Sequence, residues 1–245
     1  MAFVATHTSR ITIGDREWSG DLTSVDSSSN VDVIETTTLA NTSKNFIAGL
    51  NSGTLLCNGL TDSASASSAN SQWQDLYAIR GDSDGVPAIV ALEGFTADKK
   101  VWVAQVTETS WTNTSSVAGA VSFTLNMETT GDHGQGVSLF DPGTAKTATA
   151  TGTVVDNSAS SNTGAVANLC VVTASGTSPT LDVVIQHSAD NSSYSTLITY
   201  TQATGTTSQR KTVASGTTIN RYLKVVATIG GSSPSFNFAV GLSRL

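Results

Sequence analysis

Charge and cysteine are both scarce in this chain. Asp, Glu, Lys and Arg together make up 13% of its residues, and only two residues are cysteine. Cys57 and Cys170 lie far apart, each in an apolar, strand-like run. A disulfide framework needs more cysteines than that, so both read as buried free thiols. Histidine is as sparse: His7, His133 and His187 stand apart from one another and from cysteine. No HExxH, CxxC or EF-hand spacing occurs, and neither GxSxG nor a Walker loop is present. "GDHGQG" (131–136) precedes neither a helix nor a Lys-Ser/Thr pair, and Asp82 and Asp84 share the turn-like "RGDSDG". With no convergent titratable cluster, the chain is expected not to be an enzyme and to use no metal and no cofactor. Its N-terminus lacks a basic region followed by an apolar stretch, and no run is long enough to span a bilayer. A soluble protein assembled in the cytoplasm, with no membrane partner, is expected.

What the chain has in abundance is hydroxyl: 34 serines and 37 threonines among 245 residues. Threonine favours strands and serine favours turns, so the composition predicts a mainly β protein with many connections. Hydrophobic residues, at 38%, suffice for a core in each of two small domains. Charge is uneven. Residues 1–142 hold 16 acids against 6 Lys/Arg, net −10, and residues 143–245 hold 3 against 6, net +3. The asymmetry, together with the glycine-rich stretch "TGDHGQGVSLFDPGTAK" (130–146), predicts a domain over 1–136, a Gly/Pro linker over 137–146 and a second domain over 147–245.

Period-2 alternation marks the strands. "FVATHTSRITIG" opens as one. "REWSGDLTSVD" sets Trp18, Gly20 and Leu22 against Glu17, Ser19, Asp21 and Thr23. A polar segment over about 26–45 leads into "NFIAGLNSGTLLCNGL" (45–60), whose second half reads as a core strand with Leu55 or Leu56 and Cys57 buried. The one expected helix covers about 68–80, with Trp73, Leu76, Tyr77 and Arg80 at helical spacing, Ser68 or Asn70 as cap and Gly81 past the end. "KKVWVAQVTETSW" places Trp102, Ala104 and Val106 opposite Gln105, Thr107 and Thr109. In "VAGAVSFTLNMET", Val121, Phe123, Leu125 and Met127 alternate with Ser122, Thr124, Asn126 and Glu128. Trp73 and Trp102 are expected in the core, whereas Trp111 falls in the polar "TSWTNTSS". In the second half "GTSPTLDVV" (176–184) echoes "GSSPSFNFAV" (231–240), with Pro179 and Pro234 in register. Each reads as strand, turn, strand, which predicts two hairpins of a small antiparallel sandwich.

The order of elements in residues 1–130 resembles the major tail tube protein of long-tailed, siphovirus-type bacteriophages. "FIAGLNSGTLLCNGL" resembles that family's apolar segment before the helix. "VWVAQVTETSW" and "VAGAVSFTLNMETTG" resemble its closing strands. The second half resembles β-sandwich domains that some tail tube proteins append and display on the tail exterior. The fold this implies is an N-terminal tail-tube-type β-sandwich or barrel with one short α-helix, followed by a small C-terminal antiparallel β-sandwich.

The resemblance further implies a structural virion protein. Its copies would form hexameric rings stacked into a tube that meets tape measure, terminator and distal tail proteins. Phage DNA would transit the lumen without specific binding. Ser19, Asp21, Gln105, Thr107, Ser122, Thr124, Asn126 and Glu128 are then expected to line the lumen. Asp32, Ile34, Leu39, Phe46, Ile47 and Leu50 are expected at contacts between subunits or rings, with the 26–45 segment as an arm. An acidic first domain suits a conduit that must not hold DNA. The alternative is a capsid decoration protein or another phage surface β-sandwich with an adhesin or carbohydrate-binding role, for which Tyr194, Tyr200 and Tyr222 are the candidate rings.

Overall fold

The computed structural model describes residues 8–62, 71–117 and 119–245. His7 and the expected caps Ser68 and Asn70 lie outside them. The elements in chain order are β1 (Arg10–Ile13), β2 (Arg16–Glu17), β3 (Leu22–Glu35), β4 (Phe46–Leu60), α1 (Gln72–Ile79), β5 (Val86–Ala91), β6 (Lys100–Thr114), β7 (Ser122–Thr129), β8 (Gly134–Phe140), β9 (Ala150–Thr151), β10 (Val155–Asp156), β11 (Ala165–Ser188), β12 (Ser195–Thr199), β13 (Thr207–Val213) and β14 (Tyr222–Arg244). The chain is thus mainly β, with one short helix among the described residues. The strands form one branched, open antiparallel sheet.

Three apolar clusters hold the sheet together. The first is the N-terminal core, where Trp102, Ala104 and Val106 of β6 meet Phe123, Leu125 and Met127 of β7, Leu55 and Cys57 of β4, and Trp18. Here the alternation read from the sequence is the alternation of burial. The second lies within the C-terminal half and joins Leu169 and Val171 to Val183, Ile185, Val225 and Phe238. The third sits between the halves: Ile89, Val101 and Val103 pack on Val166, Cys170 and Ala239. The start of β6 is therefore buried on both sides. Both cysteines are free and buried.

Several sequence expectations give way at particular residues. "REWSGDL" is not one strand: the Asp21 N–H donates to the Trp18 carbonyl at 2.9 Å, closing a turn that puts Ser19 and Asp21 outside any ladder. Residues 137–140 of the expected linker belong to β8. That strand pairs with β6 through Gly134–Val137 and with β14 through Val137, Ser138 and Phe140, so the ladder crosses from one half to the other. Buried Asn168 adds a second tie, its Nδ2 donating to the carbonyls of Ala88 (3.0 Å) and Ala104 (2.6 Å). The helix is capped by Ser71, whose Oγ accepts from the Gln74 N–H, and it buries Gln72 and Leu76 rather than Trp73.

The two proline motifs do not turn the chain back. They lie opposite each other in the middle of the β11–β14 ribbon, with Thr177 across from Ser232, and the ladder resumes on either side. Gly176 (φ 121°) and Gly231 (φ 105°) occupy the left-handed half of conformational space. A side chain on either would strike the opposite motif, since a Cβ at Gly231 would sit 2.6 Å from the Ser178 carbonyl oxygen. The bend folds the ribbon so that its two ends share one core, and the sandwich arises from one folded ribbon rather than from two hairpins.

His187, on β11, accepts the Asn220 N–H through Nδ1 at 3.2 Å. Burial holds its imidazole below the usual histidine range. The neutral form is favoured in the fold, so its contribution is full above about pH 6.5, the unfolded value. It is lost as pH falls through the lower folded value. The urea midpoint is expected to drop between about pH 7 and 5, and the drop should be smaller in His187→Gln; identical profiles would contradict the assignment.

Candidate functional site

β4 pairs with β3 on one side and β7 on the other, and β7 continues to β6. These four strands turn one face to the N-terminal core. The register places Ser24, Asp26 and Ser28 of β3, Thr54, Leu56, Asn58 and Leu60 of β4, Ser122, Thr124, Asn126 and Glu128 of β7, and Thr107 of β6 on the other face, polar but for the two leucines. A neutral ladder crosses it. The Thr124 hydroxyl donates to Asn58 Oδ1 (2.8 Å), and Asn58 Nδ2 donates to the Ser24 hydroxyl (3.0 Å). Asn126 Nδ2 donates to Ser110 Oγ (2.9 Å), and the Ser28 and Thr54 hydroxyls bond at 2.7 Å. No Lys or Arg occurs in β3, β4, β7 or the 101–114 part of β6. The fixed charges on this face are carboxylates, Asp26 and Glu128.

The structure thus gathers five of the eight residues expected to share a polar face. Gln105 continues it on β6, with its amide turned to the carbonyls of Asp84 and Gly85. Beyond it, Val101 and Val103 on the same side are covered by the C-terminal half, so the open face ends at Gln105. Ser19 and Asp21 are elsewhere. Ser19 Oγ accepts the Ile11 N–H at 2.9 Å, and Asp21 binds Arg16 at 2.8 Å, in a cluster where Arg16 also meets Asp75 at 2.6 Å.

Past the Thr54–Glu128 pair β7 stops, but β3 and β4 run on as a two-stranded arm. Every residue from Ser29 to Ser52 is exposed. The first half of the expected loop over 26–45 is thus strand, and only 36–45 is loop. Ile34 faces Ile47 and Glu35 faces Phe46 across the arm. Asp32 sits on β3, Leu50 is 80% exposed and Leu39 at the tip is fully exposed. All six expected contact residues are therefore on this one projection. The tip is closed by its own hydrogen bonds: the Thr36 N–H donates to the Asn45 carbonyl (2.8 Å), and Asn41 Oδ1 accepts from the Thr38 N–H (2.7 Å) and hydroxyl (2.8 Å).

The arm is rooted on a residue of the glycine-rich 130–146 stretch. His133 is buried, meets Ser29 Oγ through Nε2 at 3.1 Å, and lies edge-on to Trp102 at 5.8 Å. Its neighbour across the root is Gly53, where a Cβ would sit 2.8 Å from His133 Nε2 and 2.7 Å from the Ser28 carbonyl oxygen. Among the described residues no group of three or more His, Cys, Asp or Glu side chains is placed to hold a metal.

The remaining aromatic candidates separate clearly. Tyr200 is buried. The Lys224 ammonium lies 3.6 Å from the Tyr194 ring centre, and the Arg221 guanidinium lies 4.9 Å from that of Tyr222. Trp111 is on β6 instead of a turn, and packs edge-on against Trp73 at 4.9 Å.

No protein-family model matches the chain, and no curated protein does. Among solved structures it is similar to a chain of the virion of a native gene transfer agent particle, at 18% identity and TM-score 0.38, over 47% of this chain and 84% of that one. It is similar to the SPP1 tail tube at 6% identity and TM-score 0.42, over 54% and 78% of the two chains. It is also similar to the SPP1 Dit protein at 10% identity and TM-score 0.39, over 96% and 98%. At these scores the likeness carries no functional argument, and the geometry above must do so.

Gly53→Val should loosen the arm root by forcing its side chain into Ser28 and His133. The expected cost is about 1–3 kcal/mol, read as a lower denaturation midpoint with the C-terminal core unaltered; a wild-type midpoint would refute the close contact.

Proposed function

We propose that this chain is a structural virion protein whose copies close into rings and stack as a phage tail tube. The observation that carries the reading is the four-stranded sheet β3-β4-β7-β6. Among the described residues it has an outer face that, Leu56 and Leu60 apart, is polar and free of cations; its β3 edge has no strand partner, and its β6 edge beyond Val106 is met only by the Arg80–Glu108 bridge. Such edges pair with another chain unless blunted, and neither β3 nor the end of β6 carries a proline.

Joining the β3 edge of one copy to the β6 edge of the next gives a closed barrel with the polar face inside. Six copies supply 24 strands. At about 4.8 Å between strands and a tilt of about 40°, that barrel is about 50 Å across at the backbone. Barrels of about 16–18 strands already enclose an aqueous channel, so a duplex has room. The lining then includes Thr107, Ser122, Thr124, Asn126 and Glu128 with Asp26, Asn58 and Leu56. Repeated carboxylates and absent cations repel phosphate, and so the wall does not hold the DNA that passes. The arm reaches the adjoining ring, and the ends of the tube meet tape measure, terminator and distal tail proteins. The C-terminal half packs on Val101 and Val103 at the arm end of each subunit; in the proposed tube this sets it beside the lumen face, where the resemblance implied the tail exterior.

Negative-stain images of the purified protein are expected to show rings or tubes, and a monodisperse monomer at every concentration would overturn the proposal. Tubes of a Thr124→Lys, Asn126→Lys variant should retain DNA at low salt and release it at high salt, whereas wild-type tubes should retain none. Equal retention by both would place these residues away from the lumen.

A further inference from the structure

A cavity of about 650 Å³ lies between the root of β3 and the β6–β8–β14 ladder, a volume typical of small-molecule sites. Register sets one wall of it. Lys100 pairs with Val137, and Val137 pairs with Leu242; two residues along, Trp102 pairs with Gln135. Arg244 follows Leu242 by two on β14 and so shares its face. The lining holds two cations, Lys100 and Arg244, and no carboxylate. In a chain with 19 acids against 12 Lys and Arg, that is a local reversal of sign. Arg244 is fixed in place. Its Nη1 donates to the Ala159 carbonyl at 2.6 Å and its Nη2 to the Asn220 carbonyl at 2.9 Å, but its Nε–H has no acceptor among the described residues. Burial holds this guanidinium below its usual range, and no carboxylate offsets that. Trp102 is 6% exposed, and its indole N–H likewise has no acceptor among the described residues.

We propose that this cavity binds a small carboxylate with an apolar body. Native interiors pair nearly all buried donors, and here two unpaired ones share the lining with an ammonium. A carboxylate answers all three, because its two oxygens accept about four hydrogen bonds. A phosphate suits the site less well. It draws on the two-pronged fork of a guanidinium, and both Nη atoms of Arg244 are already committed to backbone carbonyls. The apolar body then lies against Leu92, Val137 and Leu242. Burial of the charge away from bulk water strengthens its attraction to Arg244 and Lys100. The site goes beyond the tube reading and does not depend on it.

Calorimetric titration of the intact chain with phenylbutyrate tests the site. Saturable one-to-one binding is expected. Phenylbutanol, the same body without the charge, should bind about 10-fold more weakly or worse. Lys100→Gln, on an exposed side chain, should keep the wild-type melting curve and weaken phenylbutyrate binding several-fold. Arg244→Gln should weaken it about 10-fold or more. No binding at millimolar phenylbutyrate would overturn the proposal. Equal affinity for the acid and the alcohol, or wild-type affinity in both variants, would overturn it too, since the ligand would then sit on exposed apolar side chains elsewhere. The titration reads the chain whether or not it assembles. Its failure therefore leaves the tube reading intact, and failure to form tubes leaves the site intact.

Discussion

The start of β6 has no solvent side, and the rest of the molecule is arranged around that fact. Val101 and Val103 close the contact between the halves, while Trp102 and Ala104 close the N-terminal core. The same strand pairs with β5 on one edge and with β8 and then β7 on the other. A strand buried on both sides must be apolar throughout, and "VWVA" is. From Gln105 onward one side is released to solvent, and there the residues become glutamine and threonine. One strand thus sets where the molecule is a three-layered solid and where it is a single sheet with an open face.

That open face uses hydroxyls and amides instead of charge. Thr124, Asn58 and Ser24 satisfy one another across three strands, so little of the face depends on titratable groups. Side chains this short cost little rotamer entropy to order. They also leave the strand edges unobstructed, which long lysines would not. The serine content that first suggested turns therefore does two jobs. In β3 it forms a strand, because β4 supplies a partner along its whole length.

Much of this was legible from local pattern. Alternation in β7 and at the start of β6 named the core residues, and the burial of Leu55 and Cys57 followed from "GTLLCNGL". One failure is a local turn, and the others depend on partners distant in sequence. Ser19 and Asp21 have the right period for a strand, yet the Trp18 carbonyl captures the Asp21 N–H first. The two Gly-x-Ser-Pro motifs look like turns, and each would be one alone. Opposed across a ribbon, they become a shared bend. Residues 137–140 read as linker because glycines precede them, but β6 and β14 offer edges on both sides. His133 gave no periodic signal at all, since its role is to fill the space beneath Gly53.

The two free thiols have a consequence for the compartments the protein can occupy. Burial pushes both Cys57 and Cys170 up to about 12. Near neutral pH both thiols are therefore held in the protonated form, and the thiolate is the form that oxidises or exchanges. A chain built in a reducing cytoplasm and then carried into an oxidising exterior meets two redox regimes. In either regime two such buried thiols stay reduced, and the fold needs neither a disulfide to hold its shape nor protection against forming one.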